Sequence, residues 1–279
     1  MIYRRIYTLL LLALLGLAEV FASEPVRVLA IGNSFSVDAL EQEMHSLAAA
    51  GGKELVIGNL YIAGCPVEKH YNNMRDDRPA YSYRKIALDG HVDTIPECPL
   101  SKALADEKWD YITFQQASGV SGMYESFENL PELISMVRKA VGKHPVFLWH
   151  MTWAYSPDSN HRQFVNYGKD QMKMYEAIVA CAKKALADNP ELKGVIPCGT
   201  AIQDARTSAL GRDLTRDGYH LSLDEGRYIA SCTWYAVLFK EPVLGNSYAP
   251  ASLNDEQKRV AQTAADAAVA EPFVITKIR

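Results

Sequence analysis

The amino-acid sequence predicts a three-layer α/β/α sandwich built on a mainly parallel β-sheet. Short β-rich runs alternate along the chain with longer segments whose apolar residues recur at helical spacing. Strands separated by helices join in parallel through right-handed crossovers, which places helices on both faces of the sheet. Because no internal repeat or linker-like stretch interrupts this alternation, we expect one domain over residues 23–279.

The elements can be placed from composition and periodicity. The runs typical of strands are residues 26–31, 55–60, 110–114, 145–149 and 194–197. Helical periodicity predicts helices at about 37–50, 127–142, 167–189, 223–239 and 254–270. Residues 81–88 and 91–95 depart from the alternation, because both are β-rich and they flank the turn dipeptide Asp89-Gly90. They predict a β-hairpin inserted ahead of the third strand.

The first 22 residues have the organisation of an export signal. Arg4 and Arg5 precede an apolar run over residues 6–17, and small residues then favour cleavage after Ala22. An uncleaved membrane anchor is the alternative, but the run is shorter than the roughly 20 apolar residues of a membrane span. No cysteine near Ala22 offers a lipid attachment point. We therefore expect a secreted or periplasmic protein that is free of the membrane after cleavage.

Charge and cysteine usage exclude several classes of protein. The chain has 29 basic and 33 acidic residues, so it lacks the basic surplus typical of nucleic-acid binders. Its five cysteines show no spacing typical of a metal site, so no metal is expected. Most should be buried core residues, and we expect at most two disulfides, with the pairing open among Cys65, Cys98, Cys181, Cys198 and Cys232. No cofactor motif is present.

A candidate nucleophile follows the first predicted strand. Ser34 lies in the turn between that strand and the first helix, in the segment Ile31-Gly32-Asn33-Ser34-Phe35-Ser36. Ligands of parallel sheets bind outside the carboxyl ends of the strands, which is the edge where Ser34 would lie. Helix capping by Ser34 or Ser36 is the alternative function of these hydroxyls. The segment lacks the G-x-S-x-G pattern, which disfavours an α/β-hydrolase nucleophile elbow.

Two Asp-x-x-His pairs could supply the base that a serine nucleophile needs. One is Asp158–His161, in a polar loop after the fourth strand, and the other is Asp217–His220, just before an apolar helix. The later loop can return to the end of the first strand, so we favour His220 as the base and Asp217 as its partner. We expect the Asp158 pair to lie in a solvated loop.

Polar features after the second and third strands are candidates for stabilising an oxyanion. At Gly64 the backbone N–H can approach a ligand closely, because glycine has no Cβ. The backbone N–H of Ser34 is a second candidate donor to the oxyanion. Gln115 or Gln116 could add a side-chain amide, but successive strand residues point to opposite faces, so only one can aim at Ser34. Gln115 is slightly preferred because it directly follows the apolar run.

The order of these motifs resembles the SGNH (GDSL-like) hydrolase superfamily. The segment around Ser34 is similar to the first SGNH block, with Asn33 where Asp is usual. Gly64 corresponds to the second block, and Asp217-Gly218-Tyr219-His220 to the last. The third block departs, because no Gly-x-Asn-Asp occurs and a glutamine must replace its Asn. Trp109-Asp110-Tyr111 and Thr152-Trp153-Ala154 resemble a related branch catalogued as a domain of unknown function.

The resemblance implies both a fold and an activity. The fold would be a flavodoxin-like sheet of about five parallel strands in the order 2-1-3-4-5. The activity would be that of a serine esterase that removes an acyl group, with acetyl expected, from a glycan or similar ester. Asn33, Trp153 and Tyr219 are the expected substrate contacts, since aromatic rings stack on sugars. The alternative is a non-catalytic carbohydrate-binding protein on the same fold, which the changed third block favours.

Overall fold

A mixed β-sheet forms the middle layer of the molecule. The computed structural model describes residues 24–211 and 213–279, and the predicted export signal lies outside them. Within these residues the sheet has seven strands in the order β4-β3-β2-β1-β5-β6-β7. The strands are β1 (Val26–Gly32), β2 (Leu55–Tyr61), β3 (Tyr81–Ile86), β4 (Val92–Cys98), β5 (Tyr111–Phe114), β6 (Val146–His150) and β7 (Leu192–Ile196).

The parallel part of the sheet has the predicted order. Strands β2, β1, β5, β6 and β7 are mutually parallel, which is the order 2-1-3-4-5 once the hairpin strands are set aside. The three-layer α/β prediction is therefore confirmed. The chain order reverses between β1 and β5, so the carboxyl ends of these two strands form the crevice where such sheets bind ligands.

The predicted hairpin is an extension of the sheet. β3 pairs antiparallel with β2, and β4 pairs antiparallel with β3 and forms the outer edge. The edge strand is largely exposed and includes Asp93, Pro96 and Glu97, residue types that prevent further strand pairing. The hairpin thus places the side chains of β3 beside the end of β2.

Nine α-helices are present in the described residues. They are α1 (Ser34–Leu40), α2 (Met44–Ala50), α3 (Val67–Arg75), α4 (Leu100–Asp106), α5 (Leu130–Val141), α6 (Gln171–Asp188), α7 (Cys198–Ala205), α8 (Glu225–Phe239) and α9 (Asp255–Ala270). Helices α1, α2, α7, α8 and α9 pack in one layer, and α3, α4 and α5 pack with one another in the other. No helix in this part of the chain is both long and apolar enough to span a bilayer.

The sequence predicted the long helices but not all the short ones. The single helix expected over 37–50 is divided into α1 and α2 around Glu41. The Glu41 carboxylate accepts hydrogen bonds from Asn59 of β2 and Arg84 of β3, contacts that helical periodicity does not show. The helices α3, α4 and α7 were not predicted, since each is only two turns long.

The cysteines contribute to packing in the core. All five are buried and free. Cys198 and Cys232 are completely buried, on the neighbouring helices α7 and α8. The interpretation of the cysteines as small apolar core residues therefore agrees with their positions.

Candidate active site

Ser34 lies at the carboxyl end of β1, as the first residue of α1. Asn33 caps this helix, because its side-chain oxygen accepts the Phe35 N–H at 3.0 Å. The turn requires glycine at position 32, since a Cβ there would lie 2.3 Å from Ser36 Oγ. Ser36 itself is buried, with Oγ 2.7 Å from the Asn33 carbonyl oxygen. Ser36 therefore stabilises the turn, whereas Ser34 faces the cleft.

Ser34, His220 and Asp217 form a hydrogen-bonded series. His220 Nε2 lies 2.9 Å from Ser34 Oγ, and His220 Nδ1 lies 2.7 Å from Asp217 Oδ2. The other carboxylate oxygen of Asp217 accepts the His220 backbone N–H at 2.7 Å. One carboxylate thus fixes both the ring and the backbone of the histidine. The geometry is that of a serine whose proton can pass to an oriented imidazole.

Asp217 has a pKa below its usual range. Burial by itself would raise the pKa, but hydrogen bonds from the His220 ring and from the His220 and Tyr219 N–H groups outweigh it. Asp217 is therefore ionised at neutral pH. An ionised Asp217 accepts a hydrogen bond from the Nδ1–H of His220, which leaves Nε2 as the atom that can accept the proton of Ser34.

Aromatic rings hold the His220 imidazole in place. Tyr219 packs against one side with ring centres 4.2 Å apart, and Phe35 lies 5.9 Å away. Trp153 stacks on Phe35 at 4.2 Å and donates its indole N–H to the Tyr219 carbonyl oxygen at 2.8 Å. Trp153 is completely buried. The expectation that Trp153 contacts substrate is therefore corrected: it supports the helix and the loop that carry Ser34 and His220.

Asn33 and Gln115 also lie beneath the cleft and do not line it. Gln115 donates its amide N–H to Asn33 Oδ1 at 2.7 Å, and its oxygen lies 2.8 Å from His150 Nδ1. Asn33 donates in turn to the Cys65 carbonyl oxygen at 3.2 Å. Both side chains are almost fully buried. Asn33 is therefore placed away from the expected substrate position, and the Gln115 amide is directed at Asn33, not at Ser34.

His150 anchors the inner end of this chain of hydrogen bonds. Burial lowers its pKa to about 3, so the ring is neutral at physiological pH. A neutral ring has one N–H, and the contact with the Gln115 oxygen assigns it to Nδ1. The Gln115 amide is thereby oriented with its NH₂ group towards Asn33.

Gln116, which follows β5, connects this strand to the helical layer formed by α3, α4 and α5. Its oxygen accepts the backbone N–H groups of Val67 and Ala117 at 3.0 and 2.8 Å. Its nitrogen donates to the carbonyl and hydroxyl oxygens of Ser126. These contacts use both the oxygen and the nitrogen of the Gln116 amide. Since the Gln115 amide donates to Asn33, neither predicted glutamine presents a donor to Ser34. The side-chain donor expected for an oxyanion is absent from both positions.

A cleft of about 480 Å³ opens over Ser34 and His220. Gly64 and Tyr219, two of the predicted site residues, line it, as does Tyr61 at the end of β2. Gly64 has a left-handed backbone with φ of +57°, and its N–H has no hydrogen-bond acceptor among the described residues. A glycine suits this conformation, which other residues adopt only with strain.

His161, which belongs to the Asp-x-x-His pair expected in a solvated loop, lies closer to the cleft than that expectation implied. His161 lines the cleft and packs on Tyr219 at 4.7 Å between ring centres. Its Nδ1 accepts the Gln163 N–H at 3.3 Å, and burial together with the positive charge of Arg162 lowers its pKa. No hydrogen bond joins it to Ser34 within the described residues, and Asp158 is exposed. His161 is thus a wall of the cleft.

Asp38 is a buried residue of the site that the sequence analysis missed. It lies on α1 four residues after Ser34 and is completely buried. Its carboxylate accepts the Leu221 N–H at 3.0 Å and binds Arg216 and Arg227 at 3.0 and 2.9 Å. It therefore fastens α1 to the loop that carries His220. An acidic residue within an otherwise apolar helical segment is the signal that could have revealed it.

The described residues thus form an α/β/α protein with a Ser-His-Asp series at the end of its central strand. Residues 27–268 match the family described as Domain of unknown function (DUF4886), and the chain belongs to this family. The described part of the chain contains no cluster of three or more His, Cys, Asp or Glu side chains suited to a metal ion.

Comparison with solved structures gave matches that include a member of the same family. A DUF4886 family protein from Bacteroides uniformis ATCC 8492 is 48% identical, with a TM-score of 0.90 over 91% of this chain and 98% of that chain. TesA is 15% identical, with a TM-score of 0.49 over 78% of this chain and 99% of its own. The acetyl xylan esterase AlAXEase is 17% identical, with a TM-score of 0.48 over 76% and 100%. The comparison with curated proteins gave no match.

Proposed function

We propose that this protein is a serine esterase of the SGNH type. The observation that carries the proposal is the series Ser34–His220–Asp217, with contacts of 2.9 and 2.7 Å, on the floor of an open cleft. A serine used only for helix capping has no need of a histidine oriented by an ionised carboxylate. The series therefore favours catalysis over carbohydrate binding alone.

The reaction would proceed through an acyl-enzyme. Ser34 Oγ attacks the acyl carbon of the ester while its proton passes to His220 Nε2, and Asp217 stabilises the imidazolium. The tetrahedral intermediate collapses by breaking the bond to the alcohol, which takes the proton from His220. A water molecule then attacks the acyl carbon of the acyl-enzyme and gives a proton to His220. The second tetrahedral intermediate collapses by breaking the bond to Ser34 Oγ, which takes that proton back from His220 as the acid leaves.

Backbone N–H groups would stabilise the oxyanion. The Gly64 N–H is free of any acceptor among the described residues, and Gly64 lines the cleft together with Ser34. Ser34 is the first residue of α1, so its own N–H has no intrahelical acceptor. With the Gln115 and Gln116 amides engaged elsewhere, we infer that these two backbone groups are the donors.

The proposed substrate is a small acyl ester, with acetyl expected, of a glycan. Tyr61 and Tyr219 line the cleft, where aromatic rings can contact a sugar. We also propose that residues 1–22 direct export, which would place the enzyme in the periplasm or outside the cell.

The first prediction tests the nucleophile. Ser34→Ala should abolish release of nitrophenol from 4-nitrophenyl acetate and of acetate from an acetylated oligosaccharide, while the melting temperature stays near that of the wild type. Ser36→Ala is the matched control, because it removes a buried hydroxyl two residues away. It should lower the free energy of unfolding by about 1 kcal/mol and leave turnover per folded molecule intact.

Two results would contradict the proposal. Equal loss of turnover in both serine variants would show that the damage is structural. If the wild type hydrolysed no ester but bound the oligosaccharide as tightly as Ser34→Ala does, the carbohydrate-binding alternative would replace the esterase.

A further inference from the structure

Two arginine side chains line the cleft and have no part in the proposed acyl transfer. Arg84 comes from β3 of the hairpin, and Arg216 directly precedes Asp217. Their side chains are 27% and 34% exposed, respectively. Both guanidinium groups are therefore accessible from the cleft that holds Ser34.

Each guanidinium is fixed by a carboxylate behind it. Arg216 Nη1 lies 3.0 Å from both oxygens of Asp38, and Arg84 Nη1 lies 3.0 Å from Glu41 Oε2. The Arg84 guanidinium also lies over the Tyr61 ring, 4.2 Å from its centre. In both arginines Nε and Nη2 have no acceptor among the described residues. The side chains are thus held in place with donors left over.

Charge on the cleft wall differs from charge in the wider site. Arg84, Arg216 and Arg227 are balanced by the carboxylates of Glu41, Asp38 and the ionised Asp217, but neither Glu41 nor Asp217 lines the cleft. Asp38 is the one acidic residue among the described residues that line the cleft, and it is completely buried. A ligand therefore meets cationic donors but no exposed carboxylate on the cleft wall.

We propose that Arg84 and Arg216 select an ester whose sugar carries an anionic group, a carboxylate or a sulfate. Both anions present paired oxygens that match the guanidinium fork, and charge-assisted hydrogen bonds of this kind are stronger than neutral ones. The proposal rests on the proposed esterase function and names the substrate class of the same site.

The test compares sugars that differ only in charge. The probes are an O-acetylated methyl glucuronide, the matching O-acetylated methyl glucoside and that glucoside bearing a sulfate, and kcat/KM for acetate release is measured. The wild type should favour an anionic probe at least about tenfold, and added salt should reduce the preference. A preference for the sulfate over the carboxylate supports the proposal and identifies the anion.

Substitutions assign the preference to the two arginines. Arg84→Gln and Arg216→Gln should each reduce it by about tenfold, and Arg84→Gln should spare hydrolysis of neutral 4-nitrophenyl acetate. Arg216→Gln also removes a contact that holds the His220 loop to Asp38, so its effect is read as the ratio of kcat/KM for the charged and neutral probes. Arg227→Gln is the control, because Arg227 binds Asp38 without lining the cleft, and it should keep the preference. If Arg216→Gln does not fold, Arg216→Lys keeps the charge, loses the fork and should give a smaller preference.

Failure of this inference differs from failure of the esterase. Equal kcat/KM for charged and neutral probes, with 4-nitrophenyl acetate still hydrolysed, would overturn the anion preference alone. If no ester is hydrolysed, calorimetric titration of the Ser34→Ala variant with the glucuronide decides whether the anion site exists. Salt-sensitive binding that Arg84→Gln weakens supports the anion site, and absence of such binding overturns it.

Discussion

At the scale of single residues, two histidines with the same sequence context have different surroundings. Both follow an aspartate by three positions, and both line the cleft. Among the residues described, only His220 is hydrogen-bonded to the aspartate three positions before it and has a serine hydroxyl 2.9 Å from its ring. His161 instead accepts a backbone N–H. The distinction comes from the fold and not from the spacing.

The second prediction separates the two histidines. His220→Ala should reduce kcat for ester hydrolysis about as much as Ser34→Ala does, because members of such a series act as a unit. His161→Ala should keep kcat within a few-fold and change mainly KM, since His161 lines the cleft without reaching Ser34. Steady-state kinetics on one acetylated substrate measures both. A larger loss of kcat in His161→Ala than in His220→Ala would reverse the assignment.

The sequence predicted which segments form the site more reliably than it predicted where their side chains point. It assigned Ser34, Gly64 and Tyr219 to one site, and all three line the cleft. It also predicted that Asn33 and Trp153 contact the substrate, yet both side chains are buried beneath the cleft. Position after a strand indicates the edge of the sheet, but whether a side chain turns up or down depends on contacts distant in sequence.

At the scale of elements, hydrogen bonds between buried side chains connect the ends of β1, β5 and β6. Asn33 at the end of β1, Gln115 at the end of β5 and His150 at the end of β6 form one chain. The Asn33 oxygen also caps α1. The chain therefore sets where α1 begins and, with it, the position of Ser34.

The third prediction tests Gln115 as a positioning residue. Gln115→Ala leaves the buried Nδ1 of His150 unpaired and removes one of the two hydrogen bonds to Asn33 Oδ1, so the free energy of unfolding should fall by about 1–3 kcal/mol. The kcat should fall by less than the roughly 10²-fold lost when a direct oxyanion donor is removed. Gln116→Ala is the matched control, with a similar loss of stability and an unchanged kcat. Denaturant unfolding and kinetics check both, and a 10²-fold loss in Gln115→Ala alone would restore it as a donor.

The hairpin shows what sequence patterns predict at this scale and what they omit. Its two strands and their turn are local features, so alternation and Asp89-Gly90 predicted them. Its antiparallel pairing with β2, which carries Arg84 to the cleft, depends on contacts between segments that are distant in sequence. Arg84 was therefore not recognised as part of the site.

At the scale of the whole molecule, the C-terminal segment is fastened to α7. Asp204, on α7, accepts the Thr276 N–H at 2.7 Å, and Thr207 Oγ1 accepts the Ile278 N–H at 2.9 Å. Asp204 is completely buried, and its other oxygen has no hydrogen-bond partner among the described residues. Burial raises the pKa of this carboxyl to about 7. The fold therefore holds Asp204 protonated under mildly acidic conditions.

The last prediction follows from this raised pKa. As the pH rises from about 4, the unfolded chain releases the Asp204 proton while the folded chain retains it, so the stability of the wild type falls until the pH passes the folded pKa of about 7. Asp204→Asn keeps an oxygen for the Thr276 N–H and cannot ionise. It should therefore be more stable than the wild type by about 1–3 kcal/mol at pH 8, with no gain at pH 4.

Urea unfolding of both proteins at several pH values measures this difference, and Asp106→Asn provides a control of opposite sign. Burial would raise the pKa of Asp106, but its hydrogen bonds from Lys85 and Tyr83 outweigh burial and lower it. The folded state therefore favours the ionised form of Asp106, so Asp106→Asn should be less stable than the wild type by a constant amount from pH 4 to pH 8, and this deficit should shrink only as the pH falls below about 4. A stability difference for Asp204→Asn that stayed constant from pH 4 to pH 8 would mean that Asp204 does not change its protonation on unfolding. The C-terminal segment would then be held by hydrogen bonds that are independent of pH.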